Sequence, residues 1–144
     1  MARDVSEREF VNYAKGLGGY CAYSDTRLVV AATLRALSDC FGTELGLEQL
    51  LPAGTRSLLS VYGTTGILAD SVGDREFLLE RIAEVGGLQD TASAERALRT
   101  VLGTIKEKSQ DRLCEWEVRM PFQLREDWSN SVTIDRQQEA GQCL

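Results

Sequence analysis

Histidine is absent from this 144-residue chain. Its absence excludes imidazole general acid–base catalysis, Ser-His and Cys-His nucleophile pairs, and the commonest metal ligand. Cysteine occurs four times, at 21, 40, 114 and 143, and never as a C-x-x-C pair, so no zinc site is expected. No window approaches the roughly 20 apolar residues that a membrane span needs. The opening Met1-Ala2-Arg3-Asp4-Val5-Ser6 is polar and lacks the apolar run of a signal peptide. Unpaired thiols without an export signal predict a cytoplasmic protein.

Clustered basic charge is missing as well. The formal net charge is −6. Residues 1–72 carry six basic and eight acidic groups, and residues 73–144 carry ten and fourteen. Nucleic-acid binding needs grouped Lys and Arg to displace phosphate counterions, so no nucleic-acid partner is expected. Period-two alternation never persists beyond a few residues, which leaves strands without a signal.

Apolar residues make up 43% of the chain, enough for a packed core. They recur in an internal repeat. Glu9-Phe10 matches Glu76-Phe77, and Arg8 matches Arg75. Further along, Gly18-Gly19 matches Gly86-Gly87, Leu34 matches Leu102, Leu37 matches Ile105, Pro52 matches Pro121 and Arg56 matches Arg125. The offset drifts only from 67 to 69. The pattern predicts an all-α fold, a duplicated helical bundle with about four helices per repeat. The repeats are expected at 5–60 and 74–128, joined by a connector over 61–73 and followed by a polar tail over 129–144.

Within the first repeat, Ser6 and Glu9 form a capping-box pattern ahead of Phe10, Tyr13, Ala14 and Leu17. Gly16, Gly18 and Gly19 end that helix. Ser24 or Asp25 caps a helix over 24–41, with Val30, Leu34, Leu37 and Phe41 inward, and Gly42 closes it. A short helix around Leu45–Leu51 precedes one opened by Pro52 and running through Leu59. In the second repeat Asp74 caps a helix over 75–85 with Phe77, Leu78, Ile82 and Val85 inside. Asp90 or Thr91 caps the next, over 92–108. Ala94, Leu98, Val101, Leu102 and Ile105 form its buried stripe, with Glu95 and Arg99 paired on the solvent side. Leu113, Trp116 and Met120 mark a shorter helix, and Pro121 opens the last, with Leu124 and Trp128 inside.

The stretch Glu76-Phe77, Gly86-Gly87-Leu88, Ala94-Glu95-Arg96-Ala97-Leu98-Arg99-Thr100-Val101-Leu102, Pro121 and Leu124-Arg125 resembles domain of unknown function 2267. The likeness covers about 55 residues of the second half. The first half is similar more loosely, through Phe10, Gly18-Gly19, Ala31 to Leu37 and Leu50-Leu51-Pro52. The resemblance implies a bacterial, all-helical, cytoplasmic and non-catalytic protein, often in tandem copies. It implies no catalytic residues, and the tail has no counterpart in the family pattern.

Several residue groups are candidates for chemistry. The string Tyr62-Gly63-Thr64-Thr65-Gly66 has the glycines of a phosphate cradle but no following Lys-Ser/Thr and no preceding strand, so it reads as a plain connector. Cys40 and Cys114 read as small buried hydrophobes, and Cys143 as an exposed thiol. The acidic pairs Asp74/Glu76, Glu80/Glu84, Glu115/Glu117 and Glu126/Asp127 read as solvated faces rather than catalytic dyads. Arg56 and Arg125 read as braces at helix ends. Trp128 reads as core.

No catalytic, cofactor-binding or metal-ligating residue is expected. The reading is a non-enzymatic protein-interaction or assembly module that binds another protein or itself. Its expected contact residues are Tyr20 and Tyr23, in the first interhelical loop, and Val132 and Ile134 in the tail. The alternatives are a small-molecule or pigment-binding bundle, with a seam between the halves as pocket, and an enzyme relying on carboxylates, Arg or an activated Cys.

Overall fold

The computed structural model describes residues 6–46, 50–61 and 75–131. Among these, every regular element is helical. Helix α1 spans Glu7–Gly18 and α2 spans Tyr23–Leu45. A 3-10 helix, η1, covers Ala53–Ser60. Beyond the undescribed stretch come α3 (Arg75–Gly86) and α4 (Thr91–Lys108). A 3-10 turn η2 (Gln110–Arg112), α5 (Leu113–Arg119), a second short turn η3 (Phe122–Leu124) and α6 (Arg125–Asn130) complete the series.

Each start and stop has a local cause. Ser6 accepts a hydrogen bond from the Glu9 amide at 3.1 Å, and Asp90 accepts one from Ser93 at 2.9 Å. Both satisfy amides that a first helical turn leaves free. At the other end, Gly19 and Gly87 take φ of 71° and 67°. Their left-handed turns let Tyr20 N–H reach Lys15 and Leu88 N–H reach Ala83.

Four expectations need correction. α2 does not stop at Gly42: its regular path breaks at Phe41, with φ −133° and ψ 16°, and the helix then resumes to Leu45. It begins at Tyr23, ahead of Ser24 and Asp25, because Thr26 N–H already bonds the Ala22 carbonyl. Pro52 and Pro121 stand just outside their helices in extended conformation, with ψ of 141° and 146°, and 3-10 turns follow them. Finally α6 continues to Asn130, so residues 129 and 130 belong to the bundle rather than to a tail. The short helix expected around 45–51 lies partly outside the described residues; within them, Leu50 N–H bonds the Gly46 carbonyl at 3.1 Å. The connector over 61–73 falls almost wholly outside them, with Asp74 and Cys143.

One core cluster joins both halves of the chain, from Phe10 and Val11 through Leu34, Leu37, Leu58, Leu78, Ile82, Leu98 and Leu102 to Trp128. The expected stripe of α4 is fully buried. On α3 the buried side chains are Leu78, Leu79 and Ile82, while Phe77 and Val85 are only half-buried. That face corrects the repeat register. Phe10, Val11 and Ala14 of α1 are buried as Leu78, Leu79 and Ile82 are on α3. The burial and the glycines thus align the two helices one residue later than the Glu-Phe match does.

Packing crosses between the halves. α1 lies on α4, α3 lies on α2, and α2 meets α4 in the middle. The two outer crossings share one feature. A Cβ on Gly18 would come within 3.0 Å of Thr100 Oγ1, and one on Gly86 within 3.3 Å of the Ala32 Cβ. Gly18 and Gly86 hold the same place in their helices, as do Ala32 and Thr100 in theirs. Small residues let the helices approach closely at both points.

Candidate functional site

The loop tyrosines do not stand free. Tyr20 follows the Gly19 turn, and the Arg96 guanidinium lies 5.0 Å from its ring centre. Arg96 also donates to the Gly18 carbonyl. Burial pushes the Tyr20 phenol above its ordinary value, against the pull of the Arg96 charge. Tyr23 lies in the first turn of α2, half-buried against the core, not in the loop. Val132 and Ile134 lie outside the described residues.

Two ionic clusters tie helix starts together. At the start of α1, Glu7 accepts from Arg27 Nε at 2.7 Å and from Ser57 at 2.8 Å. Hydrogen bonding from Arg27 holds the Glu7 carboxyl below the usual carboxylate range. At the start of α3, Arg75 donates to both oxygens of Asp127, at 2.7 and 2.8 Å, and to Glu95 at 2.7 Å. These bonds raise the Arg75 pKa, so it stays charged throughout the working range. Arg99 Nε adds a weaker contact to Asp127 at 3.6 Å. Glu95 and Arg99 therefore serve Arg75 and Asp127 rather than a solvent-side pair. Asp127 is 2% exposed, contrary to the solvated reading of Glu126/Asp127; Glu80, Glu84, Glu115, Glu117 and Glu126 are exposed as expected.

Beside this cluster lies an open depression of about 500 Å³, lined by Arg75, Glu76, Leu79, Glu80, Thr91, Ala92 and Glu95. Its one arginine already pairs with two carboxylates, which offsets the positive charge it could offer an anion. Among the described residues no group of three or more His, Cys, Asp or Glu side chains could hold a metal ion. No described helix is long and apolar enough to cross a membrane.

Two large apolar side chains stand exposed on α5 and η3. Val118 is 79% exposed and Phe122 84% exposed. Cys114, one turn before Val118, is an exposed free thiol, contrary to its reading as a buried hydrophobe. Trp116, Met120 and Leu124 point the other way, into the core. Trp116 stacks on Trp128 with ring centres 6.3 Å apart, and Lys106 covers the Trp128 ring at 5.1 Å. Trp128 is core, as expected. Sequence reasoning passed over Val118 and Phe122, although the Leu113-Trp116-Met120 stripe already placed Val118 on the opposite side. Arg56 and Arg125 stand exposed, with no brace to a helix end among the described residues.

No protein-family model, curated protein or solved structure matches this chain.

Proposed function

We propose that this chain is a non-enzymatic protein-interaction or assembly module whose contact face is built on Val118 and Phe122. The observation that carries the reading is the exposure of these two large apolar side chains, four residues apart in sequence. Single exposed apolar residues are ordinary, whereas grouped ones mark contact surfaces. Tyr20 and Tyr23 contribute less than their sequence positions suggested, because Arg96 and the core already engage them. Val132 and Ile134, apolar residues within the polar tail, remain part of the proposal. The depression beside Arg75 is walled by carboxylates and does not suit an apolar pigment. Duplication of one ancestral unit, and the likeness to domain of unknown function 2267, belong to the same reading and rest on the residues quoted for them. Exposed free thiols at Cys21 and Cys114 suit a reducing compartment such as the cytoplasm.

The test is a Val118→Ser/Phe122→Ser double variant compared with the parent by light scattering across concentration and by recovery of co-purifying protein. The reading expects association to weaken while the unfolding temperature stays unchanged. Unchanged association in a folded variant refutes this face. Removal of residues 132–144 in parallel separates a contribution of Val132 and Ile134 from that of Phe122.

A further inference from the structure

The crossings between the halves are alike in their close-packed glycines but not in charge. Where α3 crosses α2, Arg81 Nε lies 4.0 Å from Asp39 Oδ2, and Asp39 is held in place by Arg35 at 3.0 Å. Where α1 crosses α4, Lys108 Nζ lies 3.1 Å from Glu9 and 5.0 Å from the centre of the Tyr13 ring. Asp39 is 6% exposed, Lys108 13% and Arg81 16%, while Glu9 is 34% exposed and Arg81 also bonds Glu84 on its own helix. Near the same crossing Arg96 of α4 reaches the Gly18 carbonyl at the end of α1.

We propose that the surface each half turns to the other is a selective docking surface for the opposite half. Residues 75–131 fit residues 6–61 and do not fit a second copy of themselves. Two chains that associate through this surface therefore do so by exchanging halves. The argument follows from the equivalence of Gly19 with Gly87, which sets Tyr13 against Arg81, Glu9 against Phe77 and Cys40 against Lys108. Two second halves paired in this geometry would bring Lys108 to Phe77 and Arg81 in place of Glu9 and Tyr13. The cation would lose its carboxylate and its aromatic face and meet a like charge. Two first halves would bring Asp39 to Tyr13 and leave Glu9 facing Cys40. A covered cation left without its carboxylate is expensive, and that cost falls on the pairing of two second halves; a pair of first halves loses less, because Asp39 keeps Arg35 on its own helix and Glu9 is 34% exposed. The apolar core is permissive by contrast, because Leu34 and Leu102, or Leu37 and Ile105, can replace one another with little loss. Discrimination therefore sits in the charges. It does not depend on the Val118–Phe122 face.

The test uses the full chain with a protease site inserted between residues 62 and 74. The folded protein is cleaved, unfolded in urea, refolded by dilution and weighed by native mass spectrometry. The expected product is a one-to-one pair of unlike fragments. When isotope-labelled and unlabelled cleaved chains are mixed before refolding, the label should scramble between fragments while every pair remains unlike. Glu9→Lys and Lys108→Glu should each weaken the pair about tenfold, and the double reversal should recover most of the loss. Fragments that stay apart, or like pairs in quantity, overturn the proposal. So does a double reversal that behaves as the sum of the single ones.

Discussion

Arg75 holds Asp127 through two parallel hydrogen bonds, Nε to Oδ2 at 2.7 Å and a terminal nitrogen to Oδ1 at 2.8 Å. Its other contact, Arg75–Glu95, has a charge-reversed match at the equivalent place in the first half. There the helix start carries the acid, Glu7, and α2 supplies the base, Arg27, with Nε–Oε2 at 2.7 Å. The Arg75–Asp127 pair is bonded twice and the Glu7–Arg27 pair once, and the two differ in burial. Asp127 is 2% exposed, whereas Glu7 is 25% and Arg27 36% exposed. Burial decides their worth. Arg75→Ala leaves an enclosed carboxylate with only the distant Arg99, and should cost about 3 kcal/mol. Arg27→Ala leaves Glu7 in reach of water and should cost under ~1 kcal/mol. Urea unfolding of both variants checks the difference; equal losses would mean that Asp127 is not enclosed in solution.

The Glu7 cluster should also be visible as a pH effect. Arg27 lowers the Glu7 carboxyl in the folded state. The folded value thus lies below that of the unfolded chain, about 4.3 for a free glutamate. The stabilisation is complete above the unfolded value and disappears as pH falls through the folded one. Glu7→Gln should therefore be less stable than the parent near neutrality and should converge with it in acid, below about pH 4. Thermal unfolding across that range provides the measurement. A gap that persists unchanged into acid would assign the loss to packing rather than to charge.

The legible part of the sequence was the part written in local rules. Ser6 and Asp90 cap their helices through interactions that reach only three residues. Gly19 and Gly87 close them because only a residue without Cβ takes that turn cheaply. The stripe from Ala94 to Ile105 follows from helical period alone. Misreadings arose where distant segments decide. The Glu-Phe identity suggested one register, yet the face that α3 turns to α2 makes Leu78 and Leu79 core and leaves Phe77 half-buried. Asp127 looked like one more surface acid because Arg75, which encloses it, is 52 residues away in sequence. Tyr20 looked free because Arg96 reaches it from the other half. No window of neighbouring residues contains those pairings.

The two outer helix crossings should differ in tolerance. A Cβ on Gly18 would lie 2.5 Å from the Tyr20 ring as well as close to Thr100. The ring cannot swing aside without leaving Arg96. Gly18→Ala should therefore destabilise by about 1–3 kcal/mol, the usual cost of overpacking. Gly86→Ala meets Ala32 at 3.3 Å and Leu88 at 3.6 Å, and a shift of a few tenths of an ångström accommodates it. Its cost should be clearly smaller. Tyr20→Ala in the Gly18→Ala background should recover part of the loss, so that the two changes are non-additive. Strict additivity would show that the clash lies with Thr100 instead.

The inner and outer faces can be separated by paired truncations. Leu102 is completely buried near the centre of α4 and belongs to the shared core. Leu102→Ala removes its contacts and leaves a cavity that neighbouring helices fill only in part, so it should cost about 2–5 kcal/mol. Phe122 is larger but 84% exposed, and the folded chain gains little from its ring. Phe122→Ser should change stability by less than ~0.5 kcal/mol, as surface substitutions do. Urea unfolding in dilute solution measures both without interference from association. A small loss at Leu102 would place the α4 stripe on the wrong face. A loss at Phe122 as large as that at Leu102 would mean that its ring is covered in the isolated chain, and the contact face would have to be sought elsewhere.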